Sequence, residues 1–179
     1  MKALIISADN FEDSELLYPY YRIKEEGWTV DVAAARMGQI AGKHGYSVTV
    51  DKTFQEVNPA EYDLLVIPGG KAPEEVRLNK DALRIVKSFF TDDKYVASIC
   101  HGPQVLISAS EIAGKSVTCW QGIKDDIIAA GGKYHDTEVV LDGNLISSRK
   151  PDDLPAFMRE VVSVMRELSR LETGKRKIA

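Results

Sequence analysis

Ala97-Ser98-Ile99-Cys100-His101-Gly102-Pro103 is the stretch on which the reading of this chain turns. It follows the apolar Tyr95-Val96 and leads through Pro103 into the helix-compatible Gln104-Val105-Leu106-Ile107. Small-x-nucleophile-x-Gly between a strand and a helix is the grammar of a nucleophile elbow, a turn so sharp that only small residues fit beside the reactive one. A thiol at such a turn faces the partly positive start of a helix, which favours the thiolate. A lone cysteine ending a core strand is the plainer alternative. The adjoining His101-Gly102-Pro103 favours the reactive reading.

Working outward, short apolar runs alternate with amphipathic stretches, the pattern of an α/β domain around a largely parallel sheet. Lys2–Ser7, Trp28–Ala34, Asp63–Ile67 and Tyr95–Ile99 read as strands, and Ser116–Cys119 as a further short one. Helices are predicted over Glu12–Glu26, interrupted by Pro19 and stopped by Gly27, over Asp81–Phe90 with Leu83, Val86 and Phe90 facing the sheet, and over Lys124–Ala130. Asp142-Gly143 between Glu138–Leu141 and Asn144–Ser147 signals a hairpin. A last helix begins near Asp152, with Leu154, Phe157, Met158, Val161, Val162, Met165 and Leu168 forming one apolar face. The expected organisation is a single domain over residues 1–170 and a frayed tail over 171–179.

The 179 residues carry a net charge of −4, with no basic face of the kind nucleic-acid binding needs. The basic run Lys175-Arg176-Lys177 falls in the expected tail. No run approaches the roughly 20 apolar residues of a membrane span. Ala3-Leu4-Ile5-Ile6 is too short for the apolar region of a signal peptide. With two cysteines and no secretory feature, reduced thiols in a cytoplasm are expected.

In open α/β sheets ligands bind beyond the carboxyl ends of the strands. That rule selects Asp9–Glu15, Pro68–Glu75, Cys100–Pro103 and Cys119–Gly122. Pro68-Gly69-Gly70 is either a plain turn or, with the His101 amide, an oxyanion hole. Glu12, Asp13 and Glu15 fall in one first helical turn, where negative charge is favoured without any chemistry. One of them, if buried against the thiol, would hold or move a proton, and the residues alone leave open which. Of the three histidines, His44 and His135 read as surface or turn residues, and no spacing forms a metal site. Neither metal nor cofactor is expected.

Together these pieces resemble the ThiJ/PfpI family, the intracellular-protease-I branch of the α/β superfamily that includes class I glutamine amidotransferases. The resemblance rests on Phe11-Glu12-Asp13, Gly42-Lys43-His44-Gly45, Val66-Ile67-Pro68-Gly69-Gly70, the Cys100 elbow, Gly122-Ile123-Lys124-Asp125-Asp126 and Ser147-Ser148-Arg149. It covers all but about the last ten residues. It implies a flavodoxin-like three-layer sandwich with a mainly parallel central sheet. It implies Cys100 as nucleophile, Glu12 as the carboxyl approaching the sulfur, and His101 as the histidine of a triad. The triad acid would be Glu74 of a neighbouring subunit, so the resemblance also implies a homo-oligomer, a dimer or hexamer. The Gly70 and His101 amides correspond to an oxyanion hole. Trp120 stands beside the site where many relatives have tyrosine. Amidotransferase chemistry needs a histidine near the C-terminus, and none follows His135.

Three activities follow as expectations. The first is a cofactor-free glyoxalase- or deglycase-type enzyme in which Cys100 adds to a small carbonyl such as methylglyoxal and Glu12 shuttles a proton, giving lactate. The second is an intracellular peptidase using Cys100, His101 and Glu74 on peptides. The third is a redox-sensing stress protein or chaperone whose thiol oxidises. No nucleic-acid or membrane partner is expected.

Overall fold

A computed structural model describes the backbone of residues 1–178 and the side chains of residues 1–171. The strands are β1 (Lys2–Ile6), β2 (Thr29–Ala34), β3 (Gly38–Ala41), β4 (Ser47–Val50), β5 (Lys52–Thr53), β6 (Leu64–Ile67), β7 (Tyr95–Ile99), β8 (Ser116–Val117), β9 (Lys133–Tyr134), β10 (Val139–Asp142) and β11 (Leu145–Ser148). The α-helices are α1 (Asp13–Glu25), α2 (Ala72–Val76), α3 (Lys80–Thr91), α4 (Pro103–Ser108), α5 (Lys124–Ala129) and α6 (Leu154–Ile178).

Seven strands form one sheet in the order β10-β11-β7-β6-β1-β2-β5. Every neighbouring pair is parallel except the β10–β11 hairpin, which turns at Asp142-Gly143 with Asp142 opposite Leu145. The central strands are covered on both faces, so they read as continuous apolar runs rather than as alternations. Leu4, Ile5, Leu65, Val66, Val96 and Ala97 are all fully buried. Helices α1 and α6 pack on each other, while α4 packs on α2, α3 and α5, so two groups of helices flank the sheet. This is the α/β architecture expected from the alternation of runs.

Several local expectations shift. The α1 helix begins one residue later, leaving Glu12 at its N-cap. In α3 the buried face is Ala82, Ile85, Val86 and Phe89, while Leu83 and Phe90 are only partly covered. Ser116–Cys119 does not add a strand to the central sheet. Only Ser116–Val117 is extended, paired with β9 in a separate ribbon. The chain then peels toward the rim, with the Thr118 amide donating to Ser147 Oγ at 3.0 Å and the Trp120 amide to the Cys100 carbonyl at 3.0 Å. The β3–β4 hairpin was not expected. Its short strands pair antiparallel beside the sheet and are largely exposed, so they lack the apolar run that marks a core strand.

A single 3-10 turn, Pro151–Asp153, precedes α6, which starts at Leu154 rather than Asp152. Phe157, Met158, Val161, Val162 and Met165 are buried as the periodicity implies. The helix backbone continues to Ile178, through the segment expected as a frayed tail, whose side chains after residue 171 lie outside the described ones. Among the described residues no helix is long and apolar enough to cross a membrane.

Candidate active site

The carboxyl end of β7 delivers Cys100 into a backbone conformation that non-glycine residues avoid, with φ of 62°. Such a residue costs about 1–3 kcal/mol and persists only where its surroundings hold it. Here its amide donates to the Ser148 carbonyl at 3.1 Å and its carbonyl accepts from the Trp120 amide at 3.0 Å. Gly102 completes the turn because nothing larger fits. A Cβ there would stand 2.4 Å from the Ile67 carbonyl oxygen and 2.6 Å from Ser98 Oγ.

The three neighbouring acids at the start of α1 have three separate tasks. Glu12 pairs with Lys43, accepts from the Ser14 hydroxyl at 3.3 Å, and lies 3.7 Å from His44 Nε2. Asp13 accepts the amides of His44 at 2.9 Å and Tyr46 at 3.1 Å, tying the β3–β4 turn to the helix. Burial raises the Asp13 carboxyl, but those amides outweigh it and hold the group below its ordinary range. Glu15 is fully buried and accepts the Gly69 amide at 2.8 Å.

Glu15, not Glu12, is therefore the carboxyl that approaches the sulfur. Its carboxyl stands beside the Cys100 thiol across Gly69, and burial pushes it up to about 7. The reason is helical geometry. Three residues on from Glu12, Glu15 lies one turn deeper on the same face, while Glu12 sits before the first turn and meets the lysine of the hairpin. Gly69 is wedged between acid and thiol. A Cβ on it would meet Glu15 Oε2 at 2.5 Å and Cys100 Cβ at 2.7 Å. The other Glu15 oxygen, Oε1, is buried with no nitrogen or oxygen partner among the described residues.

The thiol differs from the expectation of a favoured thiolate. Burial pushes it up, the Glu15 charge adds to that, and the Gly70 and His101 amides directed at it pull the other way. Helix α4 is only six residues long, and what it contributes at its start does not offset that burial. The His101 ring also faces the sulfur, with Nδ1 3.3 Å from Sγ. Burial lowers its pKa, against a smaller raising effect of Glu74, so the ring is neutral near pH 7. Glu74 is exposed on α2 of the same chain and lines the same cleft, with no hydrogen bond to His101 among the described residues.

The cleft above the sulfur encloses about 460 Å³ between Glu15, Lys43, Glu74, His101 and Trp120. The Trp120 ring lies 6.3 Å from that of His101, tilted by 31°. Gly70 and Trp120 both line this cleft. Lys43, Lys71 and Pro151 are lining residues to which the sequence assigned no role. Lys43 was visible only as the basic residue of a Gly-flanked turn, with no signal tying it to an acid some thirty positions earlier. Cys119 is fully buried, pushed up to about 12 by burial, and faces a separate cavity of about 310 Å³ with Tyr134 and Arg149. Among the described residues no group of acids, histidines and cysteines is arranged to hold a metal ion.

The division of labour among the acids carries a check. Asp13→Ala frees two amides that anchor the Lys43 turn, so we expect a stability loss of about 1–2 kcal/mol, read as a lowered Tm. It leaves Glu15 and Cys100 untouched.

Known proteins similar to this chain cover most of its length. Deglycase PfpI of Pyrococcus furiosus is 57% identical over 166 residues, 93% of this chain and the whole of that protein. Protein/nucleic acid deglycase 2 of Escherichia coli is 41% identical, covering 92% of this chain and 97% of its own length. A crystal structure of a two-domain Anabaena variabilis protein with DJ-1/ThiJ/PfpI-like and ferritin-like domains superposes with a TM-score of 0.91 at 39% identity. It covers 92% of this chain, which spans 50% of that protein. Residues 1–164 match the model of the DJ-1/PfpI family, and the chain belongs to that family.

Proposed function

We propose that this protein is a cofactor-free, cysteine-dependent enzyme acting on small reactive carbonyls, converting methylglyoxal to lactate and removing early adducts of such aldehydes. The observation that carries the reading is the buried Glu15 carboxyl beside the Cys100 thiol, beneath amides that converge on the same point. Relatives whose names give them as deglycases support it.

Above about pH 7 the pair holds one proton, written as thiol and carboxylate. As the sulfur attacks the aldehyde carbon, Glu15 takes the thiol proton, and the Gly70 and His101 amides donate to the oxygen on which charge develops. That oxygen is then protonated, giving a hemithioacetal. Glu15, ionised again, removes the hydrogen from the former aldehyde carbon as a proton, leaving an enediolate with its charge on the neighbouring oxygen. That oxygen takes the proton of the first carbon's hydroxyl, and Glu15, after exchange with solvent, returns a proton to the neighbouring carbon. The carbonyl now lies beside sulfur, so the product is the thioester of lactate. Neutral His101 draws a proton from water as it attacks this thioester, and lactate leaves as the thiol returns. One carbon is oxidised and its neighbour reduced, so no outside oxidant enters.

The test is lactate release from methylglyoxal with no added thiol cofactor, followed in deuterated water. Lactate is expected, with deuterium at the carbon that receives the proton. Consumption of methylglyoxal without lactate sinks the proposal, because simple trapping by lysines and thiols gives that result.

A second reading has one observation in its favour, the contact between His101 Nδ1 and Sγ. Peptide hydrolysis through Cys100 and His101 would need Glu74, from a neighbouring subunit of a dimer or hexamer, to orient the ring. Peptidase activity that tracks the oligomer peak and disappears in Glu74→Gln supports this. Activity that survives that substitution removes it.

A further inference from the structure

Far from the cleft, α1 and α6 pack side by side, and a groove of about 330 Å³ runs along their contact. Four of its six lining residues are arginines: Arg22 from α1, and Arg159, Arg166 and Arg170 from α6. With Ser163 these α6 residues recur at spacings of four, three and four, so they form one stripe facing the groove. On a chain of net charge −4, such a density of one sign is out of keeping with the whole.

Two of the guanidiniums are held in place. Glu26, whose side chain is only 9% exposed, accepts Arg166 Nε at 2.7 Å and Nη2 at 2.8 Å, together with Arg22 Nη1 at 2.7 Å. Arg22 also reaches Glu25 at 3.3 Å. These carboxylates fix the forks but leave N–H groups on both arginines unused. Arg159 and Arg170 enter no ion pair among the described residues and flank the held pair along the stripe. Four guanidiniums against the two carboxylates they touch leave a surplus of two positive charges.

We infer that this groove binds a compact polyanion carrying two adjacent phosphates, such as pyrophosphate or the diphosphate portion of a nucleotide. Planar guanidinium forks match phosphate oxygens in pairs, and forks already oriented by a buried carboxylate lose less freedom on binding. Two linked phosphates present more charge and more acceptor oxygens to these four guanidiniums than a single small anion does. Ser163 adds a hydroxyl donor between them. The groove shares no lining residue with the cleft of Cys100.

The test uses the full chain and inorganic pyrophosphate in isothermal titration, with orthophosphate and ATP as companion ligands. Saturable binding of pyrophosphate is expected, with orthophosphate at least about tenfold weaker. Arg159→Gln/Arg170→Gln should weaken pyrophosphate and ATP alike by about tenfold or more while Tm and lactate formation stay unchanged. Lys71→Gln, which removes a cation of the cleft instead, should leave pyrophosphate binding as it was. Raising salt from about 50 to 200 mM should weaken the wild-type interaction. No saturable heat up to about 5 mM, corresponding to affinity too weak to matter, overturns the inference. So does equal affinity in the double arginine variant, or a loss that follows Lys71→Gln. A double variant that alters sedimentation while pyrophosphate never binds also overturns it, assigning the groove to a second copy of the chain.

Discussion

Cys100→Ser is expected to reduce lactate formation from methylglyoxal by roughly 10⁴-fold or more, the scale on which losing a covalent nucleophile is felt. The geometry explains why the conservative exchange fails. Glu15 ionises at about 7, which suits it to receive a thiol proton as the sulfur attacks but leaves it far too weak a base for an alcohol. The serine oxygen also lacks the reach and polarisability of sulfur, while the Gly70 and His101 amides stay where they are. Cys119→Ser serves as the control and should retain near wild-type rates, because Cys119 is fully buried and lies outside the cleft. Activity above a tenth of wild type in Cys100→Ser would remove the covalent step.

Glu15→Gln should lower kcat/KM by about 10²–10⁴-fold, and Glu12→Gln by less than about tenfold. The contrast discriminates between two acids three residues apart. Wild-type kcat/KM should rise with pH through about 7, as the pair gives up the first of its two protons and Glu15 becomes able to receive the second. In Glu15→Gln that limb is lost. Stability should move the opposite way. The folded pKa of Glu15 lies above its ordinary 4.5, so from about pH 4.5 to 7 the unfolded chain binds fewer protons than the folded one. The stabilisation present below that window is gone once pH passes 7. Glutamine keeps an oxygen for the Gly69 amide and has no charge to bury. At pH 8 Glu15→Gln should therefore be more stable than wild type by about 2–3 kcal/mol, with the difference vanishing near pH 4. A variant that is both less active and less stable at pH 8 contradicts this account.

The sheet was legible because its strands are buried on both faces and announce themselves as apolar runs, and because Asp142-Gly143 marks its one antiparallel turn. The β3–β4 hairpin was not, since Gln39, Ile40, Val48 and Thr49 make too short a pattern to stand out. The reactive turn was legible in Ser98, Cys100 and Gly102, the last kept without a side chain by approaches of 2.4 Å to the Ile67 carbonyl oxygen and 2.6 Å to Ser98 Oγ. The acid that meets the sulfur was misassigned. Three carboxylates in one turn are equivalent in composition, and only the direction of the helix relative to β7 separates them. Resemblance chose Glu12, the residue that opens the helix; depth in the fold selects Glu15. Lys43 stayed silent for the same reason, because its partner is set by a hairpin crossing over the helix start.

The indole of Trp120 is 42% exposed at the lip of the cleft, and only one other tryptophan, Trp28, is present in the chain. At 6.3 Å from the His101 imidazole it lies within quenching range of that ring once the ring gains a proton. Fluorescence therefore comes built into this site. Emission from one side chain reports, without any label, the ionisation of its neighbour and the arrival of anything that slips between them.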